Sequence, residues 1–252
     1  MQLLVSVRSA EEARVALAGG AGIVDAKDPE SGALGAVSPE ILAGIREAVP
    51  PDVPLSAALG DVTSQEDVAT AFARVPVSLS FAKLGFQGVN RAHVVERLLG
   101  TAVRLAAGLS GEPGVIAVAY ADWSRTGSLQ PGAFPEIVRR AGAHGLLIDT
   151  AIKGQGRLPD FLGAEELWAI GCALRRDDLC FAVAGSLSTS DVPFALAAGA
   201  DIFGLRGAVS KGGRNGRLDE GLVSAFASLV RRGAERSSLS SPALPPAAQS
   251  RR

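Results

Sequence analysis

Eight apolar runs of four to six residues, rich in Val, Leu and Ile, recur between Gly, Asp or Pro, each followed by a stretch whose apolar residues return at helical spacing. The runs read as strands at Leu3 to Val7, Gly22 to Ala26, Leu55 to Leu59, Leu79 to Leu84, Val115 to Tyr120, Leu146 to Asp149, Phe181 to Ala184 and Asp201 to Leu205. The intervening helices are expected to begin near Ser9, Ser38, Ser64, Val89, Pro131, Gly163, Ser188 and Leu218. Several of these starts carry a Ser that can cap the first turn or a Pro whose ring presets φ. Parallel strands need helical crossovers, so this alternation predicts an α/β chain folded as a (βα)8 TIM barrel, with a doubly wound open sheet as the alternative. A single catalytic domain is expected over residues 1–235. From Arg236 onward Ser, Pro and Ala dominate without apolar period, and residues 236–252 are expected to form a disordered tail.

Composition sharpens this reading. A chain of 252 residues suits one domain with a large core. With 9 Phe, 2 Trp and 1 Tyr against 30 Gly, that core must be built from Ala, Val, Leu and Ile, as suits parallel strands under alanine-rich helices. The net charge is −1 and the basic residues are scattered, so no nucleic-acid footprint and no membrane-binding stripe are expected. The first apolar run leads within a few residues into Arg8, Glu11, Glu12 and Arg14, unlike a signal peptide or spanning helix, and a cytoplasmic protein with a small-molecule partner is expected. Homo-oligomerisation is left open. Cys172 and Cys180 read as reduced thiols and His93 and His144 as packing or surface residues, so no metal site is expected.

The lysines carry the first chemical signal. Only four of the 25 basic residues are lysine: Lys27, Lys83, Lys153 and Lys211. A chain that uses arginine for its solvated surface keeps lysine for what arginine cannot do, which is to lose a proton and act as nucleophile or base. Lys27 ends the second strand, Lys83 ends the fourth, and Lys153 follows Asp149 by four residues after the sixth. In a barrel the strand ends meet at one mouth, so these amines and Asp149 are expected to converge there. The alternative is three unrelated surface lysines. Crowding and burial would lower the pKa of one amine enough for it to attack a carbonyl, with Lys27 expected as the Schiff-base nucleophile.

Glycine-rich loops carry the second signal. Gly185-Ser186 follows the seventh strand, and Arg206-Gly207 follows the eighth, where barrels commonly hold phosphate on backbone amides. Gly185, Ser186, Arg206 and Gly207 are therefore expected to bind a substrate phosphate, against the plainer reading as tight turns. The long connection from Asp28 to Ala36 is expected to cover the site. Asp25, Asp61 and Asp122 lie near strand ends, where each could contact substrate or cap a helix equally well.

Taken together, Asp25-Ala26-Lys27-Asp28-Pro29 with Gly32 to Ala36, Ala82 to Gly85, Leu147 to Ala151 with Lys153, Ala184 to Leu187 and Gly204 to Ala208 resemble the (5-formylfuran-3-yl)methyl phosphate synthases. The resemblance runs from Leu3 to about Arg232. It implies a lyase that joins two molecules of glyceraldehyde 3-phosphate, loses phosphate and water, and closes the furan ring of a methanofuran-type one-carbon carrier. It implies Lys27 as the Schiff-base residue, Lys83 as proton donor or acceptor, Asp149 and Lys153 assisting, and no metal or organic cofactor. A class I aldolase of another phosphosugar and a silent phosphosugar-binding barrel are the other readings.

Overall fold

The computed structural model describes residues 1–240. Its elements run β1 (Gln2–Val7), α1 (Ala10–Ala18), β2 (Ile23–Ala26), α2 (Pro39–Ala48), β3 (Leu55–Asp61), α3 (Gln65–Ala73), β4 (Phe81–Gly85), α4 (Ala92–Ala106), β5 (Gly114–Tyr120), α5 (Trp123–Thr126), α6 (Phe134–Ala141), β6 (Gly145–Asp149), α7 (Leu158–Phe161), α8 (Ala164–Arg176), β7 (Cys180–Val183), α9 (Val192–Ala197) and β8 (Ile202–Leu205). A small antiparallel hairpin, β9 (Ser210–Lys211) and β10 (Arg217–Leu218), precedes α10 (Glu220–Ser240). Strands β1 to β8 are all parallel and close into a barrel, β8 pairing back onto β1 with Gln2 opposite Ile202 and Val5 opposite Leu205. The open-sheet alternative is thereby excluded.

Local chemistry explains the helix starts. Ser9, Ser38 and Ser64 each accept a hydrogen bond from a first-turn amide, those of Glu12, Ile41 and Asp67. Each such cap is worth about 1 kcal/mol. Every strand is buried on both faces, as a barrel requires, so alternation along it separates two apolar cores rather than core from water. Outward residues such as Val5, Val24, Leu84 and Phe203 pack beneath the helices. Inward residues such as Leu4, Ile23, Ile116, Leu147 and Ile202 form a second cluster inside the barrel.

That inner cluster is incomplete. Ser6, Ser56, Ala182, Ala184 and Gly204 are too small to fill the interior, and a cavity of about 410 Å³ runs among them to the mouth. The loop after β2 inserts Ala33 and Leu34 into the same cluster, beside Tyr120, leaving Leu34 1% exposed. Gly35 makes this possible: the Asp28 amide donates to its carbonyl, and a Cβ there would lie 2.3 Å from the Asp28 oxygen. The loop thus packs as an apolar plug into the inner cluster, and none of its residues 28–36 lines the cavity.

Helix α10 continues through Arg236 to Ser240, so the expected start of an irregular tail at Arg236 falls within helix. The remainder of that expectation, 241–252, lies outside the described residues. No helix among the described residues is long and apolar enough to cross a membrane.

Candidate active site

The strand ends bring Lys27, Lys83, Asp149 and Lys153 to the wall of one cavity. Lys211 is elsewhere, exposed and paired with Asp219. The three converging amines differ in their partners. Lys83 is 4% exposed and ion-paired with Asp25 at 2.6 Å. Lys153 donates to Asp149 Oδ1 at 2.7 Å, to Thr150 Oγ1 at 3.2 Å and to the Thr150 carbonyl. Among the described residues the Lys27 ammonium has no hydrogen-bond partner, and its nearest counter-charge is Asp149 Oδ2 at 4.0 Å.

Electrostatics separates them further. Burial, reinforced by the charges of Lys153 and Lys83 and only partly offset by Asp149 and Asp25, lowers the pKa of Lys27 to about 8. Burial alone would raise the Asp149 carboxyl, but the charges of Lys153 and Lys27, with hydrogen bonds from Lys153 and the Thr150 amide, outweigh it and hold Asp149 below the usual carboxylate range. The result is an anionic carboxylate held by one lysine beside a second lysine that loses its proton readily.

Asp25, a possible substrate contact on the sequence, is not among the residues that line the cavity. It is fully buried behind Lys83, where its second oxygen accepts from Ser6 Oγ at 2.8 Å, so it orients the amine and leaves substrate to others. Asp122 accepts the amides of Ala151 and Ile152 and so caps the turn that carries Lys153. Asp61 accepts from Tyr120 Oη at 2.7 Å and the Gln87 amide, and burial raises its pKa in spite of those bonds.

The phosphate-type loops also face this cavity. Gly185 and Ser186 have successive positive φ values, 105° and 56°, a conformation that costs a serine energy and turns the chain sharply at the mouth. Ser186 makes no hydrogen bond to any described residue, leaving its amide and hydroxyl available. Arg206 lines the cavity too, but its donors are already committed. All five of its N–H groups are engaged: Nε with the Arg214 carbonyl, one terminal nitrogen with the Ser6 carbonyl and Glu12, the other with Glu12 and the Gly216 carbonyl. It has no free donor for a phosphate.

Two cavity residues escaped the sequence reading. Ser56 is 1% exposed and its Oγ has no partner among the described residues. Arg214 is half-buried at the tip of the β9–β10 hairpin and donates to the Gly32 carbonyl of the plug loop at 2.5 Å. A serine within Leu-Ser-Ala-Ala-Leu and an arginine among 21 offered no pattern to find them by.

Known proteins add independent findings. The 4-HFC-P synthase family profile matches residues 3–227. The (5-formylfuran-3-yl)methyl phosphate synthase of Methanocaldococcus jannaschii is 38% identical over 228 residues, covering 88% of this chain and 97% of that protein. The enzyme of the same name from Methanopyrus kandleri is 38% identical over 217 residues, 85% of this chain and 92% of that one. Among solved structures, phosphoribosyl anthranilate isomerase from Thermus thermophilus superposes with a TM-score of 0.62 at 18% identity, over 92% of this chain and 99% of that one, a likeness of fold alone.

Proposed function

The chain belongs to the 4-HFC-P synthase family, and we propose that it is a (5-formylfuran-3-yl)methyl phosphate synthase, a cytoplasmic lyase that builds the product from two molecules of glyceraldehyde 3-phosphate. The observation that carries the mechanism is the contrast among the amines: two are tied to carboxylates, while Lys27 is buried, weakly paired and lowered to about 8.

The neutral Lys27 amine adds to the aldehyde carbon, and loss of water gives an iminium. The positive nitrogen draws electrons from the adjacent carbon and acidifies its C–H. Asp149, whose free oxygen lies 4.0 Å from Lys27 Nζ, is placed to take that proton, with Lys153 holding its other oxygen. The electron pair released expels the phosphate from the third carbon. The resulting carbon framework then supplies the nucleophile that adds to the second aldehyde, and Lys83, steadied by Asp25, delivers the proton to the new alkoxide. Ring closure and release from Lys27 complete the product; in all, one phosphate and two waters are lost. The loop amide and hydroxyl of Ser186 would receive a substrate phosphate, and the unpartnered Ser56 hydroxyl a substrate oxygen.

Incubation with glyceraldehyde 3-phosphate and borohydride tests the reading. Reduction should fix a three-carbon adduct on Lys27, seen by peptide mass analysis, and unquenched turnover should yield a near-ultraviolet furan chromophore. Label on no lysine, or chiefly on Lys211, would end the mechanism, and an adduct without the chromophore would point to a simple aldolase.

A further inference from the structure

Five cationic side chains line the cavity, and their partners separate one from the rest. Lys27 is the nucleophile of the proposed reaction. Lys83 is bound to Asp25, and Lys153 uses its three N–H groups on Asp149 and Thr150. Arg206 has all five committed. Arg214 uses a single terminal nitrogen, on the Gly32 carbonyl, and has no ion-pair partner among the described residues.

The placement of Arg214 is built in. Two of the Arg206 bonds end on the carbonyls of Arg214 and Gly216, at 3.0 and 3.1 Å, so the tip of the hairpin is fixed to the barrel by the Arg206–Glu12 pair. The fold also sets the Arg214 backbone against Gly207: a Cβ on that glycine would meet it at 3.5 Å. A half-buried guanidinium with no ion-pair partner among the described residues therefore lines the same cavity as the unengaged Ser186 amide.

We propose that Arg214 is the side chain that binds the substrate phosphate, its spare N–H groups forking onto the anion beside Ser186 and Gly207, while Arg206 is a positioning residue that presents it. The proposal rests on the reading that the substrate is a phosphorylated aldehyde attacked by Lys27. A guanidinium meets a phosphate with paired, charge-assisted hydrogen bonds, which a lysine in its place supplies only as a point charge.

Two measurements on the full chain test this. The first is calorimetric binding of glycerol 3-phosphate, which has no carbonyl and needs no Schiff base, to wild type, Arg214→Lys and Arg214→Ala. The second is borohydride trapping on Lys27 with glyceraldehyde 3-phosphate and with unphosphorylated glyceraldehyde. Arg214→Ala should weaken glycerol 3-phosphate binding about 30-fold, the size expected of hydrogen bonds to a charged group, with Arg214→Lys in between. It should slow trapping of the phosphorylated aldehyde to a similar extent and leave glyceraldehyde untouched. Undiminished glycerol 3-phosphate binding in Arg214→Ala, or equal loss of trapping with both aldehydes, would overturn the assignment, the latter marking a structural role. A wild type that binds glycerol 3-phosphate through Arg214 yet traps no aldehyde would sink the Schiff-base reading and leave Arg214 in place.

Discussion

Lys27 is distinguished by a weak partner: Asp149 stands 4.0 Å away and is held at closer range by Lys153. Its value of about 8 places the switch between ammonium and amine just above neutrality. The rate constant for adduct formation should fall about tenfold per pH unit below that value and level off above it. Lys153→Met tests the origin of the shift. Removing that cation takes away a charge that lowers Lys27 and frees Asp149, which raises it, so the limb of the pH profile must move upward; a limb that stays or moves down refutes the assignment. Stability follows the same proton. The folded value lies below the unfolded one of about 10.5, so the unfolded chain binds more protons between the two, and the Lys27 contribution to stability rises with pH across that window.

A short element carries Arg214 to the cavity. The β9–β10 hairpin has two residues per strand and the turn at its tip carries Arg214, yet no periodicity announces so small a unit. The sequence showed an arginine beside the glycines that follow β8, and the plain inference was that Arg206 meets the ligand. Under the assignment proposed above that task falls to Arg214, because Glu12 on α1, 194 residues distant, captures Arg206 with both oxygens. No local pattern could have revealed that pair. Glu12→Gln should lower stability by about 3 kcal/mol, since one fork of Arg206 then faces an amide donor in a buried place. In a thermal melt that corresponds to a fall of about 8 °C. A melt within about 1 °C of wild type would show that the anchor contributes little.

At the scale of the molecule, the barrel was legible because strand and helix alternate eight times and several helix starts are marked by Ser, Pro or Gly. All eight strands lie within two residues of where the apolar runs place them. The lysine cluster was legible for the same reason: strand ends of a closed barrel must meet. The hollow interior was less so, since Ser6, Ser56, Ala182 and Gly204 look like ordinary strand residues until the closure shows that they face one another. Ala182→Leu should fill part of that space. We expect catalysis to fall by at least about tenfold with the melting temperature unchanged or raised, because space for substrate is exchanged for packing. Unimpaired turnover would place the reaction higher in the mouth.

Leu34 is packed into the inner cluster with Tyr120 and stays out of the cavity lining, to which Ser186 and Gly207 both contribute. If the proposed reaction holds, incoming aldehyde and departing furan each carry a phosphate group into the one cavity that these residues line. On that reaction, accumulating product and free phosphate would compete with the next substrate for the same groups.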